Sequence, residues 1–304
     1  MLQCKRGDFV LKALIVINSK NKKTPFSTRL IDVCKILSKK NYDIKIELTK
    51  KINDTFNIVN ENKKKYNLLV VAGGDGTINE VSNALQDDKN KPIIMYFPTG
   101  TVNDFGTSLK IPHKFDKQLQ VLNRHNTMKV DTGKVNDKYF NYICAFGPFT
   151  RASYTTPHSE KNRFGKWAYY RHVIEEIPML NKSYHLEVEI DGEKISGLFT
   201  SALIINSTSI GGFRHFMKHD SINDGYFNLV LVSKANARMF KKGIKHLING
   251  MKDNVKDEDY IFKKFKKLKI ITSENIPWTL DGEKGPVGSV EIEVIKHNLE
   301  IIVP

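Results

Sequence analysis

Leu68-Leu69-Val70-Val71-Ala72-Gly73-Gly74-Asp75-Gly76-Thr77-Ile78-Asn79-Glu80-Val81 is an apolar run that passes through a glycine turn into a helical pattern. The glycines at 73, 74 and 76 remove the Cβ atoms that would hold a ligand oxygen off the backbone, and they admit positive φ in a tight turn. Thr77 and Glu80 stand at capping-box spacing, which predicts a helix starting at Thr77 with its unpaired N–H groups and positive dipole end facing the turn. This is a layout for binding phosphate. Asp75 does not belong in it unless a cation intervenes, so its presence implies Mg²⁺ carried in with nucleotide phosphates. The spacing matches neither Gly-x-Gly-x-x-Gly nor the Lys-containing Walker loop, which argues against a dinucleotide oxidoreductase and an ordinary ATPase.

Outward from this stretch, residues 11–18 read as a buried parallel strand, followed by a polar loop that carries Lys20, Lys22 and Lys23. Phe26, Leu30, Val33, Cys34 and Leu37 fall on one helical face, and Ile44, Ile46 and Leu48 alternate as a strand ending at Thr49. A weaker helix over 55–66 precedes the central strand. A further strand over 93–97 runs into Pro98-Thr99-Gly100-Thr101-Val102-Asn103-Asp104-Phe105, and a short helix over 115–122 ends the alternation. Strand, helix, strand, helix, strand, glycine turn and helix make the doubly wound α/β pattern, and ligands in such sheets bind at the C-terminal ends of the strands. This domain is expected over residues 1–126.

From Met128 the pattern changes. Hairpins are predicted over 128–145 and 188–200, with further strands at 202–206, 227–232, 268–272, 290–295 and 299–303. Two helices interrupt this mostly antiparallel half, one with Trp167, Tyr170, Val173, Ile174 and Ile177 on a face, the other with Phe240, Ile244, Leu247, Ile248 and Met251. A second domain is expected over 127–304, whose last strand either stays within it or packs back on the first.

The chain of 304 residues carries a net charge of +15, which favours anionic partners, although dispersed lysines also fit a compositional bias. No nucleic-acid-binding module accompanies the charge, and none is expected. Cys4, Cys34 and Cys144 have no metal-ligand spacing and suggest a reducing cytosol. No signal peptide and no membrane-spanning run is read. The basic amphipathic stretch with Lys241, Lys242 and Lys245, followed by Lys263, Lys264, Lys266 and Lys267, suits either a solvated face or peripheral contact with an anionic membrane.

Five anchors in order, Gly73 to Glu80, Pro98 to Phe105, Asp131-Thr132-Gly133, Asn223-Asp224-Gly225 and Asp281-Gly282-Glu283, resemble the diacylglycerol kinase catalytic-domain family of bacterial soluble lipid kinases, related to sphingosine and ceramide kinases. The resemblance implies ATP-dependent phosphorylation of a lipid hydroxyl, with diacylglycerol the default, and ATP with Mg²⁺ in a cleft between an α/β nucleotide-binding domain and a β-sandwich lipid-binding domain. By motif it assigns the nucleotide to Asn18, Thr49, Gly73, Gly74, Asp75, Gly76, Thr77, Asn79, Gly100 and Thr101. Asp75 and Asp104 fall in its acidic network, and Asp281 is the first choice for the base, with Glu283 its support or the acceptor itself. It places a second, structural Mg²⁺ at Asp224 and the carbonyls of Ser221 and Tyr226.

The family's Asn-Pro-x-x-Gly after the first strand is here Asn18-Ser19-Lys20-Asn21-Lys22, without the proline and glycine. Asp191-Gly192-Glu193 repeats the last anchor's tripeptide in an ordinary hairpin, since Asp-Gly is itself a preferred turn. A kinase of a soluble acceptor such as NAD, and a non-catalytic nucleotide or membrane sensor, are the rival readings. A cytoplasmic, peripherally membrane-associated enzyme is expected, and a homodimer is left open.

Overall fold

Strand β1 (Leu11–Asn18) lies between β2 (Tyr42–Thr49) and β3 (Leu68–Gly73), with β4 (Ile93–Pro98) beyond β3, all parallel. The structure is a computed structural model that describes residues 10–18, 24–86, 88–147, 182–210, 213–214, 221–233 and 259–304. Every residue of β3 is buried, which is why it reads as an unbroken apolar run. The helices are α1 (Pro25–Thr28), α2 (Leu30–Lys39), α3 (Asp54–Asn62), α4 (Asp75–Ala84), α5 (Asp104–Ser108) and α6 (Phe115–Arg124). Because successive strand side chains point to opposite faces, Ala13, Ile15, Leu68 and Val70 meet α2 and α6, while Leu14, Val16, Leu69 and Val71 meet α3 and α4. The helix expected over residues 26–37 is two, broken at Arg29, whose guanidinium is held by Asp32 at 2.8 Å and Asp116 at 2.6 Å.

The second half contributes β5 (Thr127–Val135), β6 (Lys138–Phe140), β7 (Ile143–Phe146), β8 (Tyr184–Ile190), β9 (Glu193–Phe199), β10 (Ser201–Ile205), β11 (Ser209–Ile210) and β12 (Phe213–Arg214). It continues with β13 (Phe227–Val232), β14 (Tyr260–Phe265), β15 (Lys267–Ile271), β16 (Pro277–Leu280), β17 (Glu283–Val287) and β18 (Val290–Ile302). One sheet runs β14-β13-β10-β7-β16-β17. It faces β8, β15 and β18 of the other sheet across a core that includes Phe146, Phe227, Phe265, Trp278, Val188, Ile270 and Ile292. The chain is thus an α/β N-terminal domain followed by an antiparallel β-sandwich.

Two departures from the expected strands shape the site. The second arm of the hairpin over 128–145 breaks at Asn141-Tyr142, so that β6 pairs with β5 while β7 joins the opposite sheet. The two strands expected at the C-terminus are one, β18, with a register shift between Ile295 and Leu299 and His297 at φ +54°. Beyond that bulge Ile301 pairs in parallel with Ile94, so β18 runs through both halves and completes a sheet ordered β2-β1-β3-β4-β18-β15-β8-β9. The helices expected around Trp167–Ile177 and Phe240–Met251 lie outside the described residues. Among the described residues, no helix is long and apolar enough to cross a membrane.

Candidate active site

Four parallel strands ending on one edge bring Asn18, Thr49, Gly73 and Pro98 side by side, with Asn18 in register with Thr49. The Asn18 amide donates to Thr77 Oγ1 at 3.2 Å. Helix α4 begins at Asp75, two residues before the expected start, with Gly74 as N-cap and no side chain capping it. Glu80 does not close a capping box. Its carboxylate accepts from the Asn53 and Phe56 N–H groups at the start of α3, so it caps the neighbouring helix instead. None of Gly73, Gly74, Gly76 and Gly100 has positive φ. Proximity requires glycine at Gly100, where a Cβ would lie 2.6 Å from the Gly74 Cα, and Glu283 Oε1 comes within 2.8 Å of where a Cβ on Gly76 would stand. The β3–α4 and β4–α5 turns therefore touch backbone to backbone, with Thr99 N donating to Gly73 O at 2.8 Å and Thr101 exposed beside them.

Three carboxylates gather behind these turns. Asp75 accepts from the Asp104 and Phe105 N–H groups at the start of α5, both at 3.2 Å. Burial, then the neighbouring Asp104 carboxylate, push its pKa up to about 7 against those two donors, with Asp281 adding to the rise. Asp104, fully buried, accepts from Ser209 Oγ of β11 at 2.6 Å. Asp281 is buried and accepts from Asn141 N at 2.7 Å, Tyr142 N and Asn79 Nδ2 at 2.9 Å, and Ile143 N and Asn141 Nδ2 at 3.1 Å. Burial raises its pKa, opposed by these donors. The break between β6 and β7 is what turns three successive N–H groups toward it.

The second Asp-Gly-Glu is an internal comparison. Asp191 and Asp281 have φ of +48° and +51°, followed by Gly192 at +95° and Gly282 at +83°. Asp191 likewise accepts backbone N–H groups, from Lys266 and Lys267, but it is exposed. Orienting a carboxylate onto backbone donors is thus a property of the turn. Burial and the Asn79 amide from α4 are particular to Asp281, and Glu283 is exposed and lies against Gly76.

These residues fit a nucleotide phosphate with its cation. The start of α4 has no side-chain cap, and Asp75 lies beside two other acids. The fully buried Tyr96 hydroxyl, whose pKa burial and then nearby Asp75 and Asp104 raise, has no hydrogen-bond partner among the described residues. Among those residues no three His, Cys, Asp or Glu side chains converge to hold a metal by themselves.

The Ser221–Tyr226 stretch is different. Asp224 Oδ1 accepts from Tyr226 N at 3.0 Å, and its Oδ2 pairs with Lys264 Nζ at 3.2 Å. Both oxygens are engaged, one by a cation, an arrangement that does not fit a second Mg²⁺. The Asp131 carboxylate anchors the same loop through Gly225 N at 2.6 Å and the β18 bulge through His297 N at 2.7 Å.

Sequence reasoning missed Ser209, Asn141 and the dock of α4 on β6. In that dock Asn83 exchanges hydrogen bonds with the Tyr139 backbone, both at 2.9 Å, and Ser82 bonds Asn141. The available signal was Asn79 and Asn83, two amides at i,i+4 on a helix with a largely buried face.

The family model for the diacylglycerol kinase catalytic domain matches residues 12–135, and that for the YegS C-terminal NAD kinase beta sandwich-like domain matches residues 149–303. Diacylglycerol kinases of Staphylococcus epidermidis strain RP62A and Staphylococcus aureus strain MRSA252 are 32% and 31% identical over 294 residues, covering 96% of this chain and 92% of each. The crystal structure of a putative diacylglycerol kinase from Bacillus anthracis has the same fold, with a TM-score of 0.81 at 22% identity over 96% of this chain and 97% of that one. On this evidence the chain belongs to the diacylglycerol kinase catalytic-domain family.

Proposed function

We propose that the protein transfers the γ-phosphoryl group of ATP to a lipid hydroxyl, diacylglycerol first, at the edge where Asp75, Asp104, Asp281 and Glu283 meet the glycine turns. The observation that carries this reading is the approach of Glu283, from the sandwich, to Gly76 at the start of α4. It sets an exposed carboxylate beside the one helix terminus best suited to phosphate.

The α/β part, residues 1–126, acts as a doubly wound nucleotide domain, and residues 127–304 receive the lipid. The chain leaves β1 for β2 on one side and returns to β3 and β4 on the other, so the crevice at the ends of β1 and β3 is the switch point where ligands bind. Asn18, Thr49, Gly73, Gly74, Gly76, Thr77, Gly100 and Thr101 line it. Asn79, whose amide is committed to Asp281 and Tyr139 O, couples this turn to the acceptor side rather than binding nucleotide. Asp75, with the phosphates, would hold Mg²⁺, which when bound neutralises charge on the transferring group.

The acceptor oxygen attacks phosphorus in line, the bond to the β-phosphate oxygen breaks, ADP leaves, and the hydroxyl proton passes to a carboxylate. Glu283 is that acceptor. The oxygens of Asp281 are occupied by five donors, so Asp281 holds the β16–β17 turn and aims Glu283 across it. A substrate drawn from a bilayer requires peripheral contact, which the charge of +15 favours on anionic membranes. The test is transfer of labelled γ-phosphate to diacylglycerol, other lipid alcohols and NAD, the last included because of the sandwich's family description. Label in lipid and none in NAD is expected. Label in NAD alone overturns the reading.

A further inference from the structure

The loop from Ser221 to Tyr226 carries one carboxylate among several cations. Register pairs Lys264 of β14 with Asn228 of β13, two residues past Tyr226, while Phe265 turns into the core, so Lys264 is directed outward beside the loop. Its ammonium lies 3.2 Å from Asp224 Oδ2. Lys266 Nζ sits 4.7 Å from the centre of the Tyr226 ring, and the Lys296 stem packs on Gly225, with its Cδ 3.0 Å from where a Cβ would stand. The His297 ring nitrogen is 3.3 Å from Asn223 O. Asp131, the other acid nearby among the described residues, is committed to the Gly225 and His297 N–H groups.

We propose that the Lys264 ammonium stands in this chain where a second divalent cation would bind, pairing Asp224 and setting the loop that leads into β13 without metal. A dication entering here would have to displace the Lys264 ammonium from the carboxylate, with Lys266 and Lys296 also packed on the loop and Asp224 its single charged side-chain ligand among the described residues. Mg²⁺ sheds its water shell reluctantly, and a single shared carboxylate is a poor inducement. A monovalent ammonium holds its water far less tightly than Mg²⁺ and is tethered to β14, so its three donors hold the carboxylate in the same place.

The inference is independent of the kinase reading, because its test needs no activity. The full chain is unfolded thermally without nucleotide, in EDTA and in millimolar MgCl₂, as wild type, Lys264→Met, Asp224→Asn and the double variant. Any Mg²⁺ taken up near Asp75 is common to all four and cancels. Wild type and Asp224→Asn should respond alike to Mg²⁺. Lys264→Met should melt about 1–3 °C lower than wild type in EDTA and recover with Mg²⁺, and the double variant should not recover. A Mg²⁺-dependent rise in wild type that Asp224→Asn abolishes would overturn the proposal, as would a Lys264→Met protein with no added response to Mg²⁺. Should Lys264→Met fail to fold, the comparison of wild type with Asp224→Asn still decides.

Discussion

Asp75 is partly buried beside two fully buried carboxylates, and its desolvated position, then Asp104, push its pKa up to about 7 from an ordinary 3.8. Between those values folding takes up a proton, so this residue's contribution to stability falls as pH rises from about 4 to 7 and then levels off. Asp75→Asn removes that charge. Without nucleotide the variant should gain roughly 1–3 kcal/mol relative to wild type between pH 4 and pH 8, on top of a pH-independent cost of setting its amide NH₂ against one of the two backbone N–H groups that Asp75 accepts. Urea unfolding across that range checks it, and a gap independent of pH would contradict it. Asp281 and Glu283 should separate in the same way. Asp281→Asn sets an amide NH₂ against backbone N–H groups and should cost about 2–5 kcal/mol, while Glu283→Gln, exposed, should change stability by no more than about 0.5 kcal/mol. Guanidinium unfolding of both variants is the measurement.

At the scale of elements, the seam between α5 and β11 holds Asp104 in place. Ser209 Oγ donates to Asp104, Ser108 Oγ contacts Ser207 Oγ at 2.7 Å, and all four residues are buried. Ser209→Ala removes one donor from a buried carboxylate and should raise KM for MgATP about 3–10-fold more than it lowers kcat, with Ser209→Thr restoring most of the loss. A kcat defect that threonine does not rescue would count against the coupling. The strands of the α/β part were legible because buried parallel strands write themselves as apolar runs, and the glycine turns because two backbones that touch leave no room for Cβ. What could not be read was decided at a distance. Glu80 has the spacing of a capping box but meets the N–H groups of α3 first. In the arm of residues 138–145 a single polar residue, Asn141, interrupts the apolar run at the break, but nothing local says that it serves Asp281, which is 140 residues later. Lys296-His297-Asn298 looks like the end of a strand, yet Asp131 holds that stretch as a bulge within one.

Across the whole molecule, β18 runs through both halves, and the two are expected to unfold together. Leu299 and Ile301 lie in the core beneath α3 and α4, while Val290 and Ile292 lie in the core of the sandwich. Ile301→Ala should cost about 2–5 kcal/mol and lower a single transition rather than release one half, and coincident melting by far-UV and Trp278 signals would show it. The proposed chemistry depends on the same continuity, because Glu283 reaches the β3–α4 turn only if the sandwich is held against α4. Transfer of labelled γ-phosphate from ATP to diacylglycerol in vesicles, by wild type and Glu283→Gln matched for stability and nucleotide affinity, tests this most directly. The account predicts transfer by the wild type and a loss of about 10²–10⁴-fold in kcat for Glu283→Gln. Equal rates for the two proteins would contradict it.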